Sequence, residues 1–354
     1  MSDDALDLDA LRDSFRDVLG DALSVETLLR HGESAEPVHH ALWAQIVDLG
    51  WPGLAITEEH GGLGLGFDTL AILYEELGRS LAPVPVLPTM LVAEALTLGG
   101  SAAQQREWLP KIASGELMAS LTPPGERPAV IARRDGEYLV LDGVAEGLVD
   151  GGAAGLLLVA VMIDGQALRV LVESETVEHQ PCYDLTRSLG RLAFSGRQVP
   201  LANLLVRDVE PALIDHASIA LACEAVGGAE RILDITLDYL KTREQFGRVI
   251  GSFQALKHRA ANHKTDIVSI SALTREAVIM RARDEDVRLE AAAAKAYACD
   301  VFAKLTRDAI QLHGGIGVTW EQVCHLYMKR ARLNEQLYGT TAQHLDRLIE
   351  SLAA

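Results

Sequence analysis

Two short segments of this 354-residue sequence hold residue types that can grip an anion. In Arg243-Glu244-Gln245-Phe246-Gly247, followed by Phe253-Gln254, an arginine stands beside an aromatic ring and a glycine that ends a long helix. A guanidinium so placed can present its planar fork to a phosphate or carboxylate. A capped helix with a surface ion pair uses the same residues. In Gln311-Leu312-His313-Gly314-Gly315-Ile316-Gly317, two adjacent glycines let backbone approach a ligand closely and aim N–H groups at a diphosphate or an adenine edge, while Gln311 supplies an amide. The plainer reading is a helix stop, which needs only one glycine.

The other reactive residue types form no constellation. Cys182, Cys223, Cys299 and Cys324 stand far apart with no CxxC, and Cys223 falls on an apolar stripe where a thiol acts as a small filler. His39-His40, His258 and His263 make no i, i+4 pair with an accompanying acid, so no metal site is expected. Gly61–Gly66 contains a GxG element, but no strand precedes it and no acid follows at ribose-binding spacing.

The elements that must position these segments follow from periodicity. Leu8, Leu11, Phe15, Val18 and Leu19, then Leu42, Ile46 and Leu49, step as helices within a helical stretch from Leu6 to about Gly115. A further helix over Thr69–Leu81 stops at Pro83 and Pro85, and Pro88 opens the next. The texture then turns to short β-rich pieces at Leu117–Thr122, Tyr138–Leu141, Leu156–Ile163, Leu168–Val172 and Leu192–Val199, read as a small antiparallel barrel or sandwich. Beyond Asp215 two long apolar stripes, Ile219 to Leu240 and Ala294 to Leu312, demand a helical bundle. The expected organisation is α+β: residues 1–116 helical, 117–210 β, and 211–354 a four-helix bundle.

Composition narrows the function classes. Apolar residues make up 49% and charged residues 23%, which suits globular domains, and 32 basic against 50 acidic residues give −18. That sign, without a basic cluster, argues against nucleic acid or an anionic membrane surface as main partner. Runs such as Gly155–Ile163 are far short of the roughly 20 residues that cross a bilayer, so no membrane span is expected. The acidic Met1–Asp9 does not read as a signal peptide, and a cytoplasmic location is expected.

In combination and order, the two segments resemble the acyl-CoA dehydrogenase family, over essentially the whole chain. Trp51-Pro52-Gly53-Leu54, Glu59-His60-Gly61-Gly62-Leu63-Gly64-Leu65 and the strand Leu192–Pro200 add to the likeness. The resemblance implies a dimer of dimers around FAD that converts an acyl-CoA to a 2-enoyl-CoA and passes electrons to an electron-transfer flavoprotein. It also implies that Arg243, Phe246, Gln254, Gln311, Leu312, His313, Gly314 and Gly315 reach across a dimer interface to flavin held mainly by the neighbouring subunit.

Three departures qualify that picture. The family's base is a Glu in a Tyr-Glu-Gly-Thr segment, or one on the helix before the arginine; the matching positions here are Tyr338 and Ala217. A phenol of pKa about 10 is roughly one part in a thousand ionised at neutral pH, so no residue of this chain is assigned as catalytic. The family's Thr-Glu-Pro-x-x-Gly-Ser-Asp loop is replaced by Thr122-Pro123-Pro124-Gly125-Glu126-Arg127-Pro128, whose prolines lack N–H donors. The strand whose Trp stacks on flavin is replaced by Leu141-Asp142-Gly143-Val144-Ala145-Glu146-Gly147. The chain therefore resembles the base-less subunit of bacterial α₂β₂ acyl-CoA dehydrogenases, several of which act on sterol side-chain thioesters. The alternatives are a homotetramer whose base has moved to Glu335, and a non-catalytic acyl-CoA-binding scaffold of the same fold.

Overall fold

The computed structural model describes residues 7–34, 36–174 and 176–353; Leu6, where the sequence pattern starts its helical stretch, lies outside them. Along the chain come α1 (Leu8–Ala22), α2 (Val25–Glu33), α3 (His40–Asp48), α4 (Phe67–Ser80), α5 (Val86–Gly99) and α6 (Ala102–Ala113). Then follow β1 (Ala119–Leu121), β2 (Val130–Asp135), β3 (Tyr138–Val149), β4 (Leu156–Ile163), β5 (Gln166–Glu173), β6 (Glu178–Gln180) and β7 (Leu189–Pro200). The last part holds α7 (Glu210–Thr242), β8 (Glu244–Gln245), β9 (Arg248–Val249), α8 (Gln254–Ala282), α9 (Arg288–His313), α10 (Cys324–Gln336) and α11 (Thr341–Ala353). Helices, a sheet and helices again are the α+β order expected.

Local chemistry sets several boundaries. Asp7 caps α1 by accepting the N–H groups of Asp9 and Ala10 at 3.1 Å, and Ser101 with Gln104 forms a capping box on α6. Pro88 lies in the first turn of α5, where its missing N–H has no intrahelical partner to lose.

One compact unit joins Ser34–Gly66 to Pro83–Ala217. Its seven-stranded sheet runs β1-β4-β2-β3-β7-β6, with β5 also on β4. β5 covers one edge of β4 antiparallel from end to end, while β1 (Ala119↔Leu156) and β2 (Val130↔Val161) share the other edge, both parallel. The sheet is therefore mixed, not the antiparallel assembly expected. Strand periodicity reports which face is buried and carries nothing about the direction of the neighbour. Val130, Leu141, Val159, Val161, Val170 and Phe194 centre its core. In the same unit, Leu63, Gly64 and Leu65 donate their N–H groups to the Gly53, Ile56 and Leu54 carbonyls, each at 2.8 Å. A Cβ on Gly62 would stand 2.1 Å from the Ile56 oxygen, so this glycine run is a packing device.

The other unit gathers Met1–Glu33, Phe67–Ala82 and Ser218–Ala354. Two glycines let α4 and α7 cross almost backbone to backbone. A Cβ on Gly78 would lie 2.2 Å from the Glu224 carbonyl oxygen, and one on Gly227 would lie 1.9 Å from that of Glu75. α1 is tied to α4 by Arg12 on Glu75 at 2.6 Å and Arg16 on Glu76 at 2.7 Å. Both apolar stripes are buried as expected, and α7, at 33 residues, is longer than its stripe. Among the described residues α7 is long and apolar enough to cross a membrane, but the 18-residue window that meets this test is 89% buried inside the protein.

Candidate functional site

Tyr239, in the last turns of α7, joins the two anion-gripping segments. Its ring stacks on His313 at 4.4 Å, and its hydroxyl donates to the His313 carbonyl at 3.3 Å. The C-terminal ends of α7 and α9 therefore meet, with the N-terminus of α8 beside them through a short hairpin.

That hairpin corrects the expectation that Gly247 ends the helix. α7 stops at Thr242, and β8 and β9 fold back through a two-residue turn, Phe246 (φ 56°) and Gly247 (φ 77°). Positive φ at both central residues is the type I′ geometry that matches strand twist. Gly247 adopts it freely, whereas Phe246 is held there against its Cβ. This strained ring is 91% exposed, touching Phe253 edge-on at 6.1 Å, while Arg248 lies 4.0 Å over Phe253. Local strain that holds an apolar ring in solvent points to function rather than folding.

After His313, Gly314 adopts φ 64°, ψ −141°, a region open in practice only to glycine. A Cβ on Gly314 or Gly315 would meet nothing within 4 Å, so their backbone faces open space. Gly317 is different, since its Cβ would stand 2.5 Å from the Ile310 oxygen. Leu312 and His313 turn inward, and His313 Nδ1 donates to the Ala309 carbonyl at 2.8 Å. A ligand here would meet their backbone, not their side chains. Cys324 Sγ lies 3.6 Å from the same nitrogen, yet this is no nucleophile pair, because burial pushes the thiol up to about 11.

Arg243, Gln254 and Gln311 are exposed, and among the described residues their side chains have no ion-pair or hydrogen-bond partner. Exposed guanidinium, two amides, an aromatic ring and the open backbone at Gly315 at one end of the bundle fit a phosphate-bearing aromatic cofactor such as FAD, the Gly314 N–H being used to close α9 on the Gln311 carbonyl.

The positions matching a family base are packed differently. Ala217 is wholly buried, and Tyr338 is 2% exposed at φ 55°, its carbonyl accepting from His344 Nε2–H at 3.1 Å. Burial first, then Lys295, brings His344 down to about 4. Glu335 pairs with Arg332 at 2.6 Å within α10. Sequence reading missed Glu224, the buried carboxylate that does lie here. It accepts from Asn334 Nδ2 at 3.3 Å and stands 3.8 Å from Arg330. Lys295, also buried, donates to the Asn334 carbonyl and lies 3.5 Å from Cys299 Sγ. An acid interrupting the apolar stripe at Cys223–Val226 was the available signal.

The proline-rich loop is latched from within its own unit. Arg169, 4% exposed, donates to Glu210 at 2.5 Å and to the Thr122 carbonyl and hydroxyl at 2.7 and 2.9 Å. The Gly125 N–H donates to the other Glu210 oxygen at 3.0 Å. Pro123 packs against Gly147, and Ile214 packs against Gly125. These contacts use the Gly125 N–H and the Thr122 carbonyl and hydroxyl within the chain. Arg169 was legible only as a charge inside the apolar run Leu168–Val172.

Comparison with known proteins follows the same lines. Residues 209–353 match the family description "Acyl-CoA dehydrogenase, C-terminal domain" and residues 6–116 match "Acyl-CoA dehydrogenase, N-terminal domain". The chain is 34% identical over 309 residues to acyl-CoA dehydrogenase IpdE2 of Mycobacterium tuberculosis, spanning 87% of this chain and 85% of that one. It is 32% identical over 308 residues to IpdE2 of Mycolicibacterium smegmatis, spanning 87% and 86%. Among solved structures, the ChsE4-ChsE5 complex from Mycobacterium tuberculosis superposes with a TM-score of 0.92 at 27% identity, over 100% of this chain and 98% of that one. A Tcur3481-Tcur3483 steroid ACAD variant superposes at 0.90 and 28% identity, over 98% and 97%.

Proposed function

Since the chain belongs to the acyl-CoA dehydrogenase family, we propose that it is the base-less subunit of a heteromeric, FAD-dependent acyl-CoA dehydrogenase. It lends Arg243, Phe246, Gln254 and the Gln311–Gly315 backbone to FAD held by a partner subunit that carries the catalytic Glu. Bound FAD would supply the hydride acceptor for the thioester's β-carbon, with an electron-transfer flavoprotein as the onward electron acceptor. Arg243 would meet the diphosphate with a charge-assisted fork and the Gly315 N–H would face the same ligand, while the Gly314 N–H closes α9 on the Gln311 carbonyl and holds the turn in place. Phe246 excludes water from that contact. Among the described residues considered for the base, none removes the α-proton: Tyr338 is a phenol, Ala217 has no acid, and Glu335 and Glu224 each lie beside an arginine. The similarity to a steroid ACAD supports a steroid-type acyl-CoA as substrate, in an α₂β₂ assembly.

The observation that carries this reading is an asymmetry. Among the described residues the exposed side chains of Arg243, Gln254 and Gln311 have no hydrogen-bond or ion-pair partner, whereas the Thr122–Pro128 loop is held by Arg169, Glu210 and Ile214. Co-expression with the partner should give a yellow complex, and Arg243→Ala in that complex should strip most of its FAD. A lone preparation of this chain that binds stoichiometric FAD and oxidises an acyl-CoA would overturn the proposal.

A further inference from the structure

The glycine segment continues as a short 3₁₀ turn to Val318, closed by Thr319 N–H on the Ile316 carbonyl, and a second turn follows, in which the Gln322 N–H donates to the Thr319 carbonyl at 3.2 Å. Trp320 stands in that turn, five residues beyond Gly315 and so about 10 Å along the chain at 3₁₀ rise. It is 47% exposed, whereas Trp43, Trp51 and Trp108 are buried. Its exposure is not looseness. His325 stacks on the indole at 5.0 Å and 19°, and donates from Nε2 to the Trp320 carbonyl at 3.1 Å. Lys329 Nζ lies 5.2 Å from the indole centroid. His325 and Lys329 are one turn apart on α10 and so share a face of that helix. The imidazole and the ammonium hold the indole, and nearly half of the side chain still meets solvent. That is a preorganised stacking surface with no occupant inside the chain.

We propose that Trp320 is the adenine-stacking residue of the flavin clamp, closing on the base of the FAD whose diphosphate lies at Arg243 and Gly314-Gly315. The inference rests on the proposed function and extends it to the base end of the cofactor. An exposed arginine and the open backbone at Gly315, with an ordered, half-exposed indole five residues further along the chain, make a footprint that suits an adenosine diphosphate. Stacking on an aromatic face accepts any base without hydrogen-bond readout, so a polar pocket for the adenine edge is not required.

FMN, which has the ring system of FAD but no adenine, separates this from the alternatives. The chain is prepared with fluorotryptophan, assembled with unlabelled partner and stripped of flavin; the Trp320 resonance is assigned by Trp320→Phe and followed by fluorine NMR with a soluble paramagnetic quencher. FAD should shift that resonance and protect it, and FMN should do neither. Protection in the flavin-free complex, or equally by FMN and FAD, would show that partner protein covers the indole and overturn the proposal, as would no protection at all. Trp320→Ala should weaken FAD retention by about tenfold and leave FMN binding unchanged, with Trp320→Phe close to the parent. Full FAD retention in Arg243→Ala would instead sink the clamp itself, whatever Trp320 does.

Discussion

At the scale of single residues, proton chemistry is decided by what surrounds each group rather than by its type. Glu224 is a carboxylate within the bundle, yet Arg330 and Asn334 hold it, which suits a structural ion pair and not a base. Glu224→Ala takes a carboxylate from a buried arginine and should cost about 3–5 kcal/mol in urea unfolding. Tyr338→Glu places a carboxylate in a buried position beside His344; it should leave the isolated chain inactive with acyl-CoA, and measurable turnover would refute the account of its packing. Glu335→Gln should likewise leave the complex's turnover unchanged, and loss of activity would support a relocated base.

His344 gives a pH signature at the same scale. Its folded pKa of about 4 lies below the ordinary 6.5, so the unfolded chain binds the extra proton first. Stability is therefore complete above pH 6.5 and falls as pH drops toward 4, by up to about 3 kcal/mol. Burial lowers His263 and His325 too, adding loss of the same sign. His344→Gln should flatten the denaturation profile between those limits, and an unchanged slope would contradict the assignment.

At the scale of elements, the β8–β9 hairpin separates function from stability. Phe246→Gly relieves a positive-φ penalty of about 1 kcal/mol and should hold or raise the melting temperature of the chain while lowering FAD retention by the complex. A stability loss with unaltered flavin content would reverse the roles given to that ring. The α4–α7 crossing behaves in the opposite way. Gly78→Ala places a methyl group into the Glu224 backbone, so it should destabilise the fold by several kcal/mol, read by thermal unfolding, without bearing on the clamp directly.

At the scale of the whole molecule, an assembly with one competent flavin site per pair of unlike chains should contain half the FAD of a homotetramer with the same number of subunits. Absorbance of the released flavin against total protein measures this, and one FAD for every chain would exclude the division of labour proposed. The chain's own loop latch predicts the same count from the other side: Arg169→Met should loosen Thr122–Pro128, seen as faster hydrogen exchange there, without creating a second flavin site.

Much of this was present in the sequence. Helical stripes at Ile219–Leu240 and Ala294–Leu312 fixed the bundle because burial of a helix face leaves a periodic mark. Arg243, Phe246 and Gln311–Gly315 were visible because special backbone and charge need special residue types, and the lack of a carboxylate at Ala217 and Tyr338 was visible because residue type is written in the sequence. Tertiary structure alone decided the parallel pairing of β1 and β2 with β4, the hairpin at Phe246-Gly247, and the partners of Glu224 and Arg169. It alone turned His313 inward and left Trp320 facing out. Each of those depends on which distant segment comes to lie alongside, and one strand's or one residue's own pattern is the same whichever neighbour it meets.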